Sequence, residues 1–223
     1  SAGITIFMLD DDRRLREVDT IERTVLKGTP YALTLDKDSL WIAMTASRRI
    51  VEVELLSGEY RLVSEFEATD EGGNRIKPEE ILVRGELILT STGANGTVIV
   101  YRKNVGGTAE PVATLNLAYL VRGGDIFAGE MILRGQTLYL AGGQGDMQLF
   151  DLSPWLAGDF HRPVTMKQYF SMVGDVNAIA FSPRVLYAGS TFPYADGEAT
   201  ENPIDNAASV QHVGGRLNVI ENE

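Results

Sequence analysis

The stretch Glu130-Met-Ile-Leu-Arg-Gly-Gln-Thr-Leu-Tyr-Leu-Ala-Gly-Gly-Gln-Gly-Asp-Met-Gln-Leu-Phe-Asp-Leu152 decides the fold. It holds three short apolar runs, Met131–Leu133, Leu138–Ala141 and Met147–Leu152. Arg134-Gly135-Gln136 separates the first pair, and Gly142-Gly143-Gln144-Gly145-Asp146 the second. Runs this short between glycine-rich turns predict an antiparallel meander in a buried sheet. The glycines superficially resemble a phosphate loop, but they join two strands and open no helix, so phosphate and dinucleotide binding fail on context.

The pattern recurs on both sides. Upstream, Tyr31–Leu35, Leu40–Ala43, Ile50–Leu55 and Tyr60–Phe66 form one unit, and Ile81–Val83, Leu87–Thr90, Val98–Tyr101 and Val112–Leu117 form another. Downstream, Val164–Phe170 completes the central unit, and Ala178–Phe181, Leu186–Gly189 and Arg216–Ile220 begin a further one. The leucines that anchor each second strand, Leu40, Leu87, Leu138 and Leu186, are spaced by 47, 51 and 48 residues. Four strands repeated at this period predict β-propeller blades. A β-sandwich also uses short strands and frequent turns, but it does not require four units in one register.

The repeat units span about residues 28–66, 78–117, 128–170 and 174–221, with a partial blade over 4–21, all within one domain, 1–223. The expected fold class is all-β, with about four to five four-stranded blades. The chain opens on what read as third and fourth strands and closes on a third. That imbalance predicts either ring closure by strand exchange or a segment of a larger propeller. Ser1-Ala2-Gly3 does not read as a leader.

Leu138–Leu152, with Leu186-Tyr-Ala-Gly189 and Gly215–Ile220 as weaker copies, resembles β-propellers of the LVIVD-repeat and YncE-like kind. The resemblance covers most of the chain with degenerate motifs; Gly-His…Trp-Asp signatures and Asp-boxes are missing. It implies a propeller used mainly for binding, often extracytoplasmic.

Composition narrows the chemistry. Thirty-one acidic against 20 basic residues give a net charge of −11, which argues against nucleic acid and anionic membrane surfaces as partners. No apolar run approaches the ~18–20 residues of a membrane span. With no cysteine, disulfides, thiolate catalysis and Cys-based metal sites are excluded. His161 and His212 stand far apart, and no Gly-x-Ser-x-Gly elbow exists.

Two places stand out as sites. First strands of blades line a propeller's channel, and here they open with Tyr31, Glu80, Glu130 and Asn177. Glu80, Glu130 and Asn177, with Asp175 beside them, offer oxygen donors of the kind calcium prefers; solvated charges at a channel mouth are the plainer reading. Lactonase-like propellers hold calcium in a comparable place, an architectural resemblance only. The second place is the long irregular stretch Ser190–Gly214, with Phe192, Tyr194, Asp196, Glu198, Glu201 and Asp205 as candidate contacts. The residues thus favour a non-enzymatic scaffold, a module of a larger secreted or surface protein whose loop contacts a protein or carbohydrate. The alternative is a calcium-dependent hydrolase or lactonase with a cation at the channel mouth.

Overall fold

Alternation of apolar and polar side chains, broken every four to nine residues by a turn, favours short strands paired to their sequence neighbours. The computed structural model describes residues 3–56, 59–93, 95–117, 128–143, 147–170, 175–181, 185–191 and 215–221. The chain divides into two compact units, Ser1–Thr90 with Ile99–Thr114, and Ser91–Val98 with Leu115–Glu223.

In the first unit, β1 (Ile4–Leu9) and β2 (Leu15–Ile21) form a two-stranded sheet, followed by one helical turn, α1 (Arg23–Leu26). Then comes a four-stranded meander: β3 (Ala32–Asp36), β4 (Ser39–Met44), β5 (Arg49–Leu56) and β6 (Glu59–Glu67). A second meander consists of β7 (Glu80–Arg84), β8 (Leu87–Ser91), β9 (Thr97–Lys103) and β10 (Ala109–Asn116). Pro111 falls on β10, the outermost strand, where its missing N–H breaks no ladder on the free side.

The second unit repeats the plan. One meander runs through β11 (Met131–Arg134), β12 (Thr137–Ala141), β13 (Met147–Asp151) and β14 (Thr165–Phe170). The single turn α2 (Ser153–Leu156) stands between the last two, with Pro154 in its first turn, where its missing N–H costs no helical bond. β15 (Asp175–Phe181), β16 (Val185–Thr191) and β17 (Gly215–Glu221) form a three-stranded sheet. The three four-stranded sheets are antiparallel blades of the propeller type, and the anchor leucines Leu40, Leu87, Leu138 and Leu186 are all buried.

Strand alternation gives the β3–β6 sheet two apolar faces. On one, Ala32, Trp41, Ala43 and Ile50 pack with Ile81, Val83, Ile88, Ile99 and Tyr101 of the next sheet. On the other, Leu40, Ile42, Met44, Val51 and Val53 pack with Ile4, Ile21 and Leu26. Removing each such side chain from water contributes about 1.5–3 kcal/mol, so sheet stacking dominates the stability. In the second unit Ala141, Met147 and Leu149 pack with Val176, Ile179, Leu186 and Ala188, and Tyr139 meets Phe181 edge-on at 4.6 Å.

The glycines of the opening stretch have a structural use. Gly143 adopts φ 57° and exchanges two backbone hydrogen bonds with Val176 of the next sheet, of 2.9 and 3.0 Å. Gly93, fifty residues earlier at φ 59°, bridges to Ala128, whose N–H donates to the Gly93 carbonyl at 2.9 Å.

Candidate functional site

The four first-strand positions take different environments. Tyr31 is exposed just before β3, and its N–H donates to the Ala43 carbonyl at 3.0 Å. Glu80 opens β7 half-buried in the first unit, with its carbonyl accepting the Thr90 hydroxyl at 2.6 Å. Glu130 precedes β11 in the second unit, and its Oε2 accepts the Ile179 N–H at 2.8 Å. One face of that carboxylate is thereby committed to the backbone of β15.

Asp175 and Asn177 lie on β15, but their side chains are outside the described residues. Phe192, Tyr194, Asp196, Glu198, Glu201 and Asp205 also fall outside them. Among the described residues no group of three or more Asp, Glu or His side chains could hold a metal ion.

A different constellation emerges in the first unit. On the face of β3–β6 turned to β7–β10, the apolar pair Ala43/Ile50 gives way along the strands to Trp41/Glu52 and then to Ser39/Glu54. The wedge between the sheets therefore opens from a dry core into a polar cleft of about 390 Å³. Asp36, Lys37, Asp38, Ser39, Glu54 and Glu86 form its rim, and Trp41, Glu52 and Lys103 its floor.

Glu52 is the unusual member, with only 4% of its surface exposed. A buried carboxylate is costly without hydrogen-bond donors, and this one has three. Lys103 Nζ donates to it at 2.7 Å, and the Ser39 and Ser64 hydroxyls at 3.0 Å each. Lys103 is itself fixed: its N–H donates to the Glu86 carbonyl at 2.8 Å, and its ammonium stands 4.6 Å from the Trp41 ring centre. With the Lys103 side chain 31% exposed, the ammonium is held from below by a carboxylate and an indole, while part of its surface faces the cleft.

Sequence reasoning missed this group. Glu52 read as one polar residue in Ile50-Val-Glu-Val-Glu-Leu55, and Lys103 lay beyond the expected end of its strand. A signal existed nonetheless: alternation with Val51 and Val53 puts Glu52 on the face of Trp41, the interior one.

No family model and no curated protein matches the sequence. Solved structures do match. A protein from Lactobacillus plantarum shares the backbone at TM-score 0.63 and 13% identity, over 84% of this chain and 57% of its own. A periplasmic gluconolactonase from Pseudomonas aeruginosa gives TM-score 0.60 and 16% identity, over 82% and 55%. A protein provisionally named as a 6-phosphogluconolactonase, from Bacteroides fragilis, gives 0.63 and 15%, over 89% and 62%.

The fold is a β-propeller fold. At these identities the likeness establishes the backbone alone, and the chain spans little more than half the length of the structures it matches. None of the three is described as an LVIVD-repeat or YncE-like protein, so the resemblance holds for propellers in general.

The expectation of a non-enzymatic scaffold is corrected by these neighbours, two of which are named as lactonases. The hydrolase alternative is the better supported. The expectation leaned on the missing cysteine and serine elbow, yet a lactone ring can be opened by activated water, which needs neither.

Proposed function

We propose that the chain carries a hydrolase of the lactonase class that opens the ring ester of a polyhydroxylated lactone in the Lys103 cleft. The observation that carries the reading is the Lys103 ammonium, fixed by Glu52 and Trp41 while still partly open to a space large enough for a sugar ring. Lactonase descriptions among the structural neighbours support the reaction class. Rim carboxylates Asp36, Asp38 and Glu54 suit the hydroxyls of such a substrate, since a carboxylate only accepts hydrogen bonds.

The chemistry follows from those groups. Water adds to the lactone carbonyl and gives up its proton to a rim carboxylate. Negative charge builds on the carbonyl oxygen, and Lys103 donates to it; a fixed donor of this kind is worth about 10²–10³ in rate. The ring C–O bond then breaks, and the departing oxygen takes the proton that the rim carboxylate received from water, giving the open hydroxy acid and restoring the carboxylate. Glu52, hydrogen-bonded by three donors, holds Lys103 in place.

Proton release on adding D-glucono-1,5-lactone to weakly buffered protein tests the reading. Lys103→Met should lower kcat/KM by at least about 100-fold, and Lys103→Arg should restore part of it. A rate equal to the spontaneous one would sink the reading. Loss of activity in Glu80→Gln or Glu130→Gln with Lys103→Met unaffected would move the site to the first-strand positions, where dependence on added calcium becomes the next measurement.

A further inference from the structure

Strand register separates the rim carboxylates of the Lys103 cleft from one another. Residues directly opposite in an antiparallel pair share a face of the sheet. Thr34, Trp41, Glu52 and Ser64 therefore form one row across β3–β6, and Asp36, Ser39, Glu54 and Arg61 form the next. Trp41 packs on the face turned to β7–β10, so both rows belong to the face that carries the cleft. Asp36 enters the cleft from β3, with Ser39 between it and Glu54.

The four rim carboxylates also differ in what holds them. Glu54 Oε2 accepts from the Arg61 guanidinium at 2.5 Å, which commits one of its two oxygens. Asp38 and Glu86 stand exposed in the turns Lys37-Asp38 and Gly85-Glu86, within reach of bulk water. Asp36 differs from all three. It is half-buried at the end of a strand, and it enters none of the ion pairs found among the described residues. Its backbone is fixed, because it closes the β3–β4 hairpin opposite Ser39. A general base needs this combination of a held position and an uncommitted lone pair.

The spacing from Lys103 suits such a role. Opposite residues of an antiparallel pair hold their Cβ atoms about 4.5–5.5 Å apart, which sets Asp36 beside Ser39. The Ser39 hydroxyl donates to Glu52 Oε1 at 3.0 Å, and Lys103 Nζ donates to the same oxygen at 2.7 Å. Ser39 and that oxygen thus separate the Asp36 carboxylate from the ammonium. A lactone carbonyl accepting from Lys103 at about 2.8 Å, with a water about 3 Å from its carbon, spans a gap of this size.

We propose that Asp36 is the general base of the cleft, an assignment that rests on lactone hydrolysis at Lys103. As the water oxygen bonds to the carbonyl carbon, Asp36 takes one of its protons. When the ring C–O bond breaks, its electron pair stays on the ring oxygen, and Asp36 returns the proton there. The carboxylate is restored, and water is the one co-reactant consumed. Asp38 and Glu54 are left to the substrate hydroxyls.

Hydrolysis of D-glucono-1,5-lactone by the 223-residue protein, corrected for the spontaneous rate, tests the assignment. Asp36→Asn should lower kcat by at least about 100-fold with KM changed little. Asp38→Asn and Glu54→Gln should act chiefly on KM, with a kcat loss at least tenfold smaller. Asp36→Ala should regain at least tenfold in kcat, saturably, when formate is added as a substitute base. Lys103→Met should gain nothing from formate, because it lacks a donor and not a base. A wild-type rate no faster than the spontaneous one removes the lactone reading and the Asp36 assignment with it. Wild-type activity that depends on Lys103 but keeps its kcat in Asp36→Asn overturns the assignment alone. So does a loss in Asp36→Ala that formate leaves unchanged, or a larger kcat loss in Asp38→Asn or Glu54→Gln.

Discussion

Lys103 Nζ lies 2.7 Å from Glu52 Oε1, joining the last residue of β9 to the middle of β5 across the space between two sheets. Seven ion pairs are found among the described residues, and in six of them both side chains are at least 19% exposed. Those six resemble surface pairs, each contributing at most about 1 kcal/mol. Glu52, 4% exposed, is different.

Removing the lysine should therefore hurt more than removing the pair. Lys103→Met leaves a buried carboxylate with only two serine hydroxyls, and about 3 kcal/mol of unfolding free energy should be lost. Glu52→Leu combined with Lys103→Met should lose less than the sum of the two single changes, because neither then strands a charge. Urea denaturation of the four proteins measures this. A single-mutant loss below about 1 kcal/mol would class the pair with the surface ones.

Much of the fold was legible because it rests on local signals. Alternation marks Ile50–Leu55, the turn glycines mark 85 and 135, and the leucine period marks the blade. The helical turn α1 escaped because Arg23-Thr-Val-Leu26 has neither a capping side chain nor an apolar stripe. The site was harder. Glu52, Ser39, Ser64 and Lys103 are brought together by strand register and by stacking of two sheets, and no spacing in the chain records that meeting. Glu130 stands out in the sequence only by its position at the start of a strand, and its bond to the Ile179 amide depends on the approach of β15.

The repeat also exposes a strained residue. Gly85 and Gly135, in the turns between first and second strands, both have φ 60°. In the first meander the equivalent turn is Asp36-Lys37-Asp38, and Lys37 takes φ 56°. A side chain in this left-handed region costs about 1–2 kcal/mol, offset in part by the greater freedom glycine has in the unfolded chain. Lys37→Gly should raise stability by about 0.5–1 kcal/mol, read as a higher urea midpoint with unchanged slope. An unchanged or lower midpoint would show that Lys37 makes contacts in the cleft rim that outweigh its backbone strain.

The loop between β6 and β7 supplies the pH-dependent prediction. Asp70 accepts hydrogen bonds from the Asn74 side chain, at 3.0 and 3.2 Å, and from the Asn74 N–H at 2.8 Å. The Asn74 side chain, followed by its amide, holds the Asp70 carboxyl below its ordinary value of 3.8. Beneath the loop, the Tyr101 hydroxyl donates to the Thr69 carbonyl at 2.6 Å, and burial pushes that hydroxyl well above its usual value, so it stays a donor across the accessible range. Because the folded carboxyl ionises more readily than the unfolded one, its stabilising contribution is fully present above the unfolded value. It fades as pH falls through the folded value. The difference in urea midpoint between the wild type and Asp70→Asn should therefore be constant above about pH 5 and shrink towards acid. A difference that instead grew below pH 4 would mean that protonated Asp70 is the form the loop prefers, and that the Asn74 contacts do not favour the carboxylate.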